Sequence, residues 1–453
     1  MSSPASTTTP ALAQGVEPAT FGQALRFWFK LGLISFGGPA GQIAIMHQEL
    51  VEQRRWISEQ RFLHALNYCM LLPGPEAQQL ATYMGWLMHR TIGGIAAGVL
   101  FVLPSLLLLI ALSWLYIAFG DLPILAGIFY GIKPAVAAIV LQATHRIGVR
   151  VLKQPALWLI AAASFVAIFA LNVPFPLIVL GAALIGYIGA RLHWTAFKPS
   201  NAQHTIQTTS HKSAWIDDHS PAPAHAQFRW SRLLSIVTVG AMLWLIPMGL
   251  LTICYGWSHP LTQMSWFFSK AALLTFGGAY AVLPYVYQGA VTTYGWLTAP
   301  QMIDGLALGE TTPGPLIMVV TFVAFIGAYT HAIFGPDQLF LGGTIAALLV
   351  TWFTFLSSFL FILAGGPLVE STHRQLSFTA PLTAITTAVV GVILNLAIFF
   401  GYHVLWPQGF AASIDWVALA ITAFAVISLF YFKRSVMQVI GMCALIGLAV
   451  QLA

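Results

Sequence analysis

The chain has 453 residues, of which 58% are apolar and only 7% carry a formal charge. So few charges cannot cover the water-facing surface of a soluble protein of this length, which excludes a soluble globular fold and predicts an integral membrane protein. The balance of 19 basic to 13 acidic residues gives a net charge of +6, but the basic residues cluster in short connections between apolar stretches, so they read as a topology signal and not as a nucleic-acid surface.

Residues 1–20 are rich in Ser, Thr, Pro and Ala and contain no Lys or Arg; they lack the basic start of a signal peptide and read as a disordered cytoplasmic tail. Apolar segments then run over 21–46, 62–88, 91–119, 123–147, 155–171 and 174–190. A polar stretch, 191–229, forms a cytoplasmic linker. An extra segment, 230–257, follows, and then 263–288, 301–330, 338–364, 378–404, 414–432 and 435–452. The expected fold is therefore an all-α polytopic membrane protein of about 13 hydrophobic segments, with a first repeat over 21–190 and a second over 258–453. Cys69, Cys254 and Cys443 are far apart and form no metal or disulfide pattern; they read as packing residues, and no metal or cofactor is expected.

The repeat is legible residue by residue. Lys30 and Phe36-Gly37-Gly38 return 240 residues later as Lys270 and Phe276-Gly277-Gly278. Trp56 pairs with Trp296, Ser58 with Thr298, Leu66 with Leu306, and Pro73-Gly74-Pro75 with Pro313-Gly314-Pro315, without an insertion. A single segment between two sets of six delivers the second copy to the opposite face, so the repeats are expected to be inverted. Arg90, the group Arg146, Arg150 and Lys153, the linker bases Arg191, Lys198, Lys212 and Arg229, then Arg374 and Lys433-Arg434 all fall on one predicted face, assigned to the cytoplasm. The C-terminus is expected in the periplasm. Arg54, Arg55 and Arg61 break this count unless 21–46 and 62–88 are re-entrant hairpins; kinked full spans remain the other reading.

Proline and glycine inside an apolar segment leave backbone amides without intrahelical partners, and in hydrocarbon each such group costs several kcal/mol. A helix restarting after the break points N–H groups and the positive end of its dipole into that space, which makes an anion cradle. Single glycines and prolines are also common as kinks; here two different breaks each occur twice. Lys30 and Lys270 add positive charge near the breaks, unless each snorkels to a membrane surface. Ser35, Thr275 and Thr312, with Thr311, Asn67, Gln42 and Gln78, supply neutral donors, though each could instead satisfy a neighbouring helix. Glu76 and Glu310 are rare carboxylates beside the breaks and are candidate carriers of a coupling proton.

Phe27-x-Phe29-x6-Phe36-Gly37-Gly38-Pro39, Leu72-Pro73-Gly74-Pro75 and their second copies resemble the signature of the chromate ion transporter family. The resemblance spans essentially the whole chain and is to the long, two-domain form. It implies a bacterial inner-membrane carrier that expels chromate and confers chromate resistance, with paired motifs at Gly37, Gly38, Pro39, Pro73, Gly74, Pro75, Gly277, Gly278, Pro313, Gly314 and Pro315. Ala279 stands where the first copy has Pro39. An uptake or exchange carrier for sulfate is the runner-up, because both ions are tetrahedral dianions. No acid, nucleophile or metal constellation suggests an enzyme, and the sequence leaves homodimer formation open.

Overall fold

The computed structural model describes residues 17–36, 38–120, 122–194, 214–217, 223–371 and 379–452. Gly37, Lys198, Lys212, Arg374 and most of the 1–20 tail therefore lie outside the described residues. The described chain is helical, with a single isolated β-bridge between Ile57 and Ile216.

The first half contains α1 (Phe21–Ile34), α2 (Gly38–His47) ending in a π-helical turn (Gln48–Gln53), α3 (Glu59–Leu71), α4 (Glu76–Phe119), α5 (Pro123–Val151), α6 (Pro155–Phe169) and α7 (Phe175–Arg191). After α8 (Trp230–Tyr255) come α9 (Pro260–Leu274), α10 (Ala279–Tyr287) with its own π turn (Gln288–Thr293), and α11 (Ala299–Thr311). A 3₁₀ turn (Leu316–Met318) leads into α12 (Val319–Thr330), followed by α13 (Leu339–Ser371), α14 (Thr379–Leu405), α15 (Trp416–Phe430) and α16 (Val436–Leu452). Five helices are long and apolar enough to cross a bilayer: α4, α5, α8, α13 and α14. The protein is thus embedded in a membrane.

Local chemistry repeats with the 240-residue spacing. Ser58 and Thr298 cap α3 and α11 by accepting the backbone N–H of Arg61 and Gln301. The helices before the first breaks end at Ser35 and Thr275 with nearly the same backbone, φ −79° in both and ψ 72° and 73°. Both π turns fall at matching positions. The segments read from sequence as 62–88 and 91–119 are joined in α4, whose helical geometry fails at His89 (φ −133°) and Arg90 (φ 58°). That strained pair divides α4 into a short first half and a long second half; the second copy makes the same division between α12 and α13 with a loop.

The ends of the broken helices gather. His89 Nε2 lies 2.9 Å from the Ala19 carbonyl just before α1, and its ring faces Trp215 of the linker. Trp215 and Ile216 donate backbone N–H groups to Arg55 and Trp56. The start of α1, the loop before α3, the division of α4 and the linker therefore share one end of the bundle. It follows that α1 with α2, and α3 with the first half of α4, each leave this end and return to it. Arg54, Arg55 and Arg61 then lie with the linker, and α1, rising about 21 Å over its 14 residues, is too short to cross a core of about 30 Å.

At the other end of α8, Tyr255 packs on His259 and Phe334, bringing the starts of α9 and α13 together. Gly327 near the end of α12 lies against Met264 of α9 and Trp296 before α11, where an added Cβ would stand 2.7 and 3.0 Å from them. Small residues let the remaining helices approach closely: Gly131 of α5 meets the Cys443 carbonyl and Gly447 of α16. Cys69 and Cys443 are buried as packing residues, whereas Cys254 lies on the exposed side of α8, a helix with few buried positions.

Candidate functional site

The four interruptions meet in two pairs, each joining one half to the other. Gly74 N–H donates to the Thr275 carbonyl at 2.7 Å, and Gly314 N–H donates to the Ser35 carbonyl at 2.8 Å. Each Pro-Gly-Pro glycine thus supplies its amide to the carbonyl at which the other half's broken helix ends. The buried side chain of Gln42 in α2 ties the junction further, donating from Nε2 to the Gly314 carbonyl at 2.6 Å and to the Ser35 carbonyl at 3.2 Å. Gln79 Nε2 donates to the Pro73 carbonyl at 2.7 Å.

Both glycines are required by geometry. Gly74 has φ +126° and Gly314 φ +108°, in the left-handed half of backbone space. A Cβ on Gly74 would stand 2.5 Å from Ser358 Oγ of α13, and one on Gly314 2.7 Å from Ser105 Cβ of α4. Each turn is therefore wedged against a serine on the long helix of the other half.

The junction has acceptors and donors left over. Pro75 caps α4 without a side-chain bond, as Gly278 caps α10, so no capping side chain closes the start of either helix. Buried Gln42, Gln78 and Gln79 each have an Oε1 with no hydrogen-bond partner among the described residues. The hydroxyls named from sequence are turned back on their own helices: Ser35 donates to Leu31, Thr275 to Ala271, and Thr312 to Gly309. Ser35, Gly74, Pro75, Thr275, Thr312, Pro313, Gly314 and Pro315 are buried, while Gly38, Pro39, Pro73, Gly277 and Gly278 are half-buried.

The charged candidates sit farther out. Lys30 reaches Glu49 at 3.8 Å, with its side chain 60% exposed, and Glu49 also accepts from Arg54. Lys270 lies over the Trp266 ring, 5.5 Å from its centroid. The structure therefore brings neither lysine onto the interruptions. Glu310 accepts a hydrogen bond from Tyr280 OH and feels the charge of Arg146; Glu76 feels that of Arg150. Two basic residues on the last turns of α5 thus act on the two carboxylates beside the breaks. An open groove of about 510 Å³ between α2 and α3, lined by Ala40, Ile43, His47, Glu52, Phe62 and Leu66, lies away from the junction.

Among the described residues, two ion pairs with buried carboxylates are additional to these candidates. Arg61 of α3 pairs with Glu370 of α13 at 3.3 Å, and Tyr83 OH donates to the other Glu370 oxygen at 2.6 Å. Lys133 of α5 pairs with Asp304 of α11 at 3.4 Å, and Tyr116 OH donates to the same Asp304 oxygen at 2.9 Å. Each joins a base of the first half to an acid of the second. Lys133 and Asp304 have a signal in the sequence, as lone charges inside the apolar segments 123–147 and 301–330.

Comparison with known proteins agrees with the layout. The family model described as Chromate transporter matches residues 22–187 and 262–448, one match in each half. A chromate transport protein of Pseudomonas aeruginosa is 32% identical over 395 residues, covering 85% of this chain and 82% of its own. A chromate transport protein of Cupriavidus metallidurans is 28% identical over 448 residues, covering 98% and 97%. An uncharacterised transporter of Methanocaldococcus jannaschii is 25% identical over 422 residues, covering 92% and 91%. No solved structure matches the chain. With both halves matched and the paired Gly-Pro interruptions in place, the chain belongs to the chromate transporter family.

Proposed function

We propose that this protein exports chromate from the cytoplasm across the bacterial inner membrane by alternating access, and so gives chromate resistance. The carrying observation is the exchange of backbone hydrogen bonds between the two sets of interruptions, Gly74 to Thr275 and Gly314 to Ser35. Helix starts and polar side chains lie there in a largely buried setting, the arrangement that suits a tetrahedral oxyanion held by backbone dipoles. The names of the full-length relatives from Pseudomonas aeruginosa and Cupriavidus metallidurans support chromate as the ion.

In this reading the halves are inverted repeats. The hairpins of the first half open at the linker end of α8, and those of the second half open at the Tyr255 end. The linker end, which carries Arg55, Arg61 and Arg90, is cytoplasmic by the positive-inside rule, which puts the C-terminus in the periplasm. The binding site comprises the interruptions, with Lys30 and Lys270 attracting the anion from farther out and Glu76 and Glu310 as candidate coupling groups.

Direction follows from charge. A potential of 100 mV, negative inside, favours exit of a dianion by roughly 4.6 kcal/mol, whereas uptake needs compensating cations. The test is chromate flux in proteoliposomes of imposed potential, comparing the parent with Gly74→Val, Gly314→Val and Lys30→Gln. Flux that follows the potential and falls in both glycine variants supports the proposal. A parent that moves sulfate but not chromate would replace it with a sulfate carrier, and unchanged flux in all three folded variants would remove the site.

A further inference from the structure

We infer that Lys133 is an oxyanion-binding residue on the path between the interruptions and the Tyr255 end, and that Asp304 is its internal stand-in anion when no substrate is bound. This rests on the carrier reading above and deepens it. Asp304 lies eight residues before Thr312 on α11, about 12 Å along the helix, and six residues after the Thr298 cap, about 9 Å from that end. It is therefore placed between the junction and the mouth of the second set of hairpins.

The two buried ion pairs differ in a way that separates structure from exchange. Glu370 divides its partners, Arg61 on one oxygen and Tyr83 on the other, with side chains of the pair only 12% and 8% exposed. It is a closed, saturated contact. Asp304 takes Lys133 and Tyr116 on the same oxygen, Oδ2, and its Oδ1 has no hydrogen-bond partner among the described residues although the side chain is 4% exposed. The Lys133 side chain is 32% exposed and spends one contact on Asp304, so its ammonium has donors to spare. A lone ammonium or a lone carboxylate in an apolar bundle is expensive, so the empty protein keeps the two together. An arriving dianion offers the ammonium more charge and more acceptors than one carboxylate oxygen does, and it displaces Asp304. When the dianion leaves, Asp304 reclaims Lys133, and the empty carrier can reorient without an exposed charge.

The distinguishing measurement is net efflux against exchange in proteoliposomes with chromate on both sides. Asp304→Asn leaves Lys133 without a stand-in, so net efflux should fall about tenfold or more while chromate-for-chromate exchange stays within about twofold of the parent. The double variant Lys133→Gln, Asp304→Asn removes both charges of the pair; the ratio of net to exchange rate should return to the parent's, at a raised half-saturating chromate concentration. Equal losses of net and exchange flux in folded Asp304→Asn would overturn the inference, leaving a purely structural pair. So would a double variant with the parent's concentration dependence. A parent protein that moves no oxyanion in either mode would sink the carrier reading and this inference with it, whereas the former two results sink this inference alone.

Discussion

The amide of Gly74 and the carbonyl of Thr275 are 201 residues apart in sequence and 2.7 Å apart in space. The mirrored bond from Gly314 to Ser35, at 2.8 Å, makes the contact reciprocal. In both bonds the glycine amide of one half's break is satisfied by a carbonyl of the other half, so the two sets of breaks are joined directly through backbone.

The glycine positions should be the least tolerant in the chain. Gly74→Val and Gly314→Val force a branched side chain into left-handed backbone, at about 1–3 kcal/mol, and against Ser358 and Ser105. We expect chromate flux to fall by an order of magnitude or more in each, with Ala milder than Val. Flux in proteoliposomes, normalised to inserted protein, checks this; parental flux in both valine variants would contradict it.

Glu370→Gln should destabilise more than Tyr83→Phe. Glu370→Gln takes the carboxylate charge away from a buried ion pair with Arg61, a loss of about 3–5 kcal/mol, whereas losing the tyrosine hydroxyl costs about 0.5–1.5 kcal/mol. Thermal unfolding in detergent ranks the two. A smaller loss for Glu370→Gln would mean that water already reaches the pair.

Acidification should loosen the linker. His225 bonds the Trp86 carbonyl at 2.9 Å, and burial, with the charges of Arg90 and Arg232, holds its pKa below the ordinary 6.5. Folded, the ring takes up a proton less readily than when released, so the released state binds more protons. The contact is therefore at full strength above about pH 6.5 and weakens as pH falls through and below that value. Hydrogen-exchange protection at Ala226, whose N–H is bonded to Pro223 in the turn that carries His225, should drop on acidification, and His225→Gln should flatten the dependence. Unchanged protection in the parent would contradict this.

Topology offers an independent check. A reporter in the linker should read as cytoplasmic and one at the C-terminus as periplasmic, because α8 separates the two sets of hairpins. Reporters on the same side would refute the inverted arrangement.

The membrane class, the duplicated unit and the residues at which its helices break are legible in composition and motif spacing alone. These depend on composition and on backbone preferences of Gly and Pro, which act within a few residues. The sequence also marks the Arg54–Arg61 stretch as inconsistent with simple spans, since charge cannot hide in hydrocarbon. Only the tertiary structure decided that Gly74 completes the helix ending at Thr275, that Lys30 turns to Glu49, and that Lys133 meets Asp304. The physical reason is that hydrogen-bond and ion partners from separate helices are chosen by packing, and a row of letters holds no record of which faces will touch.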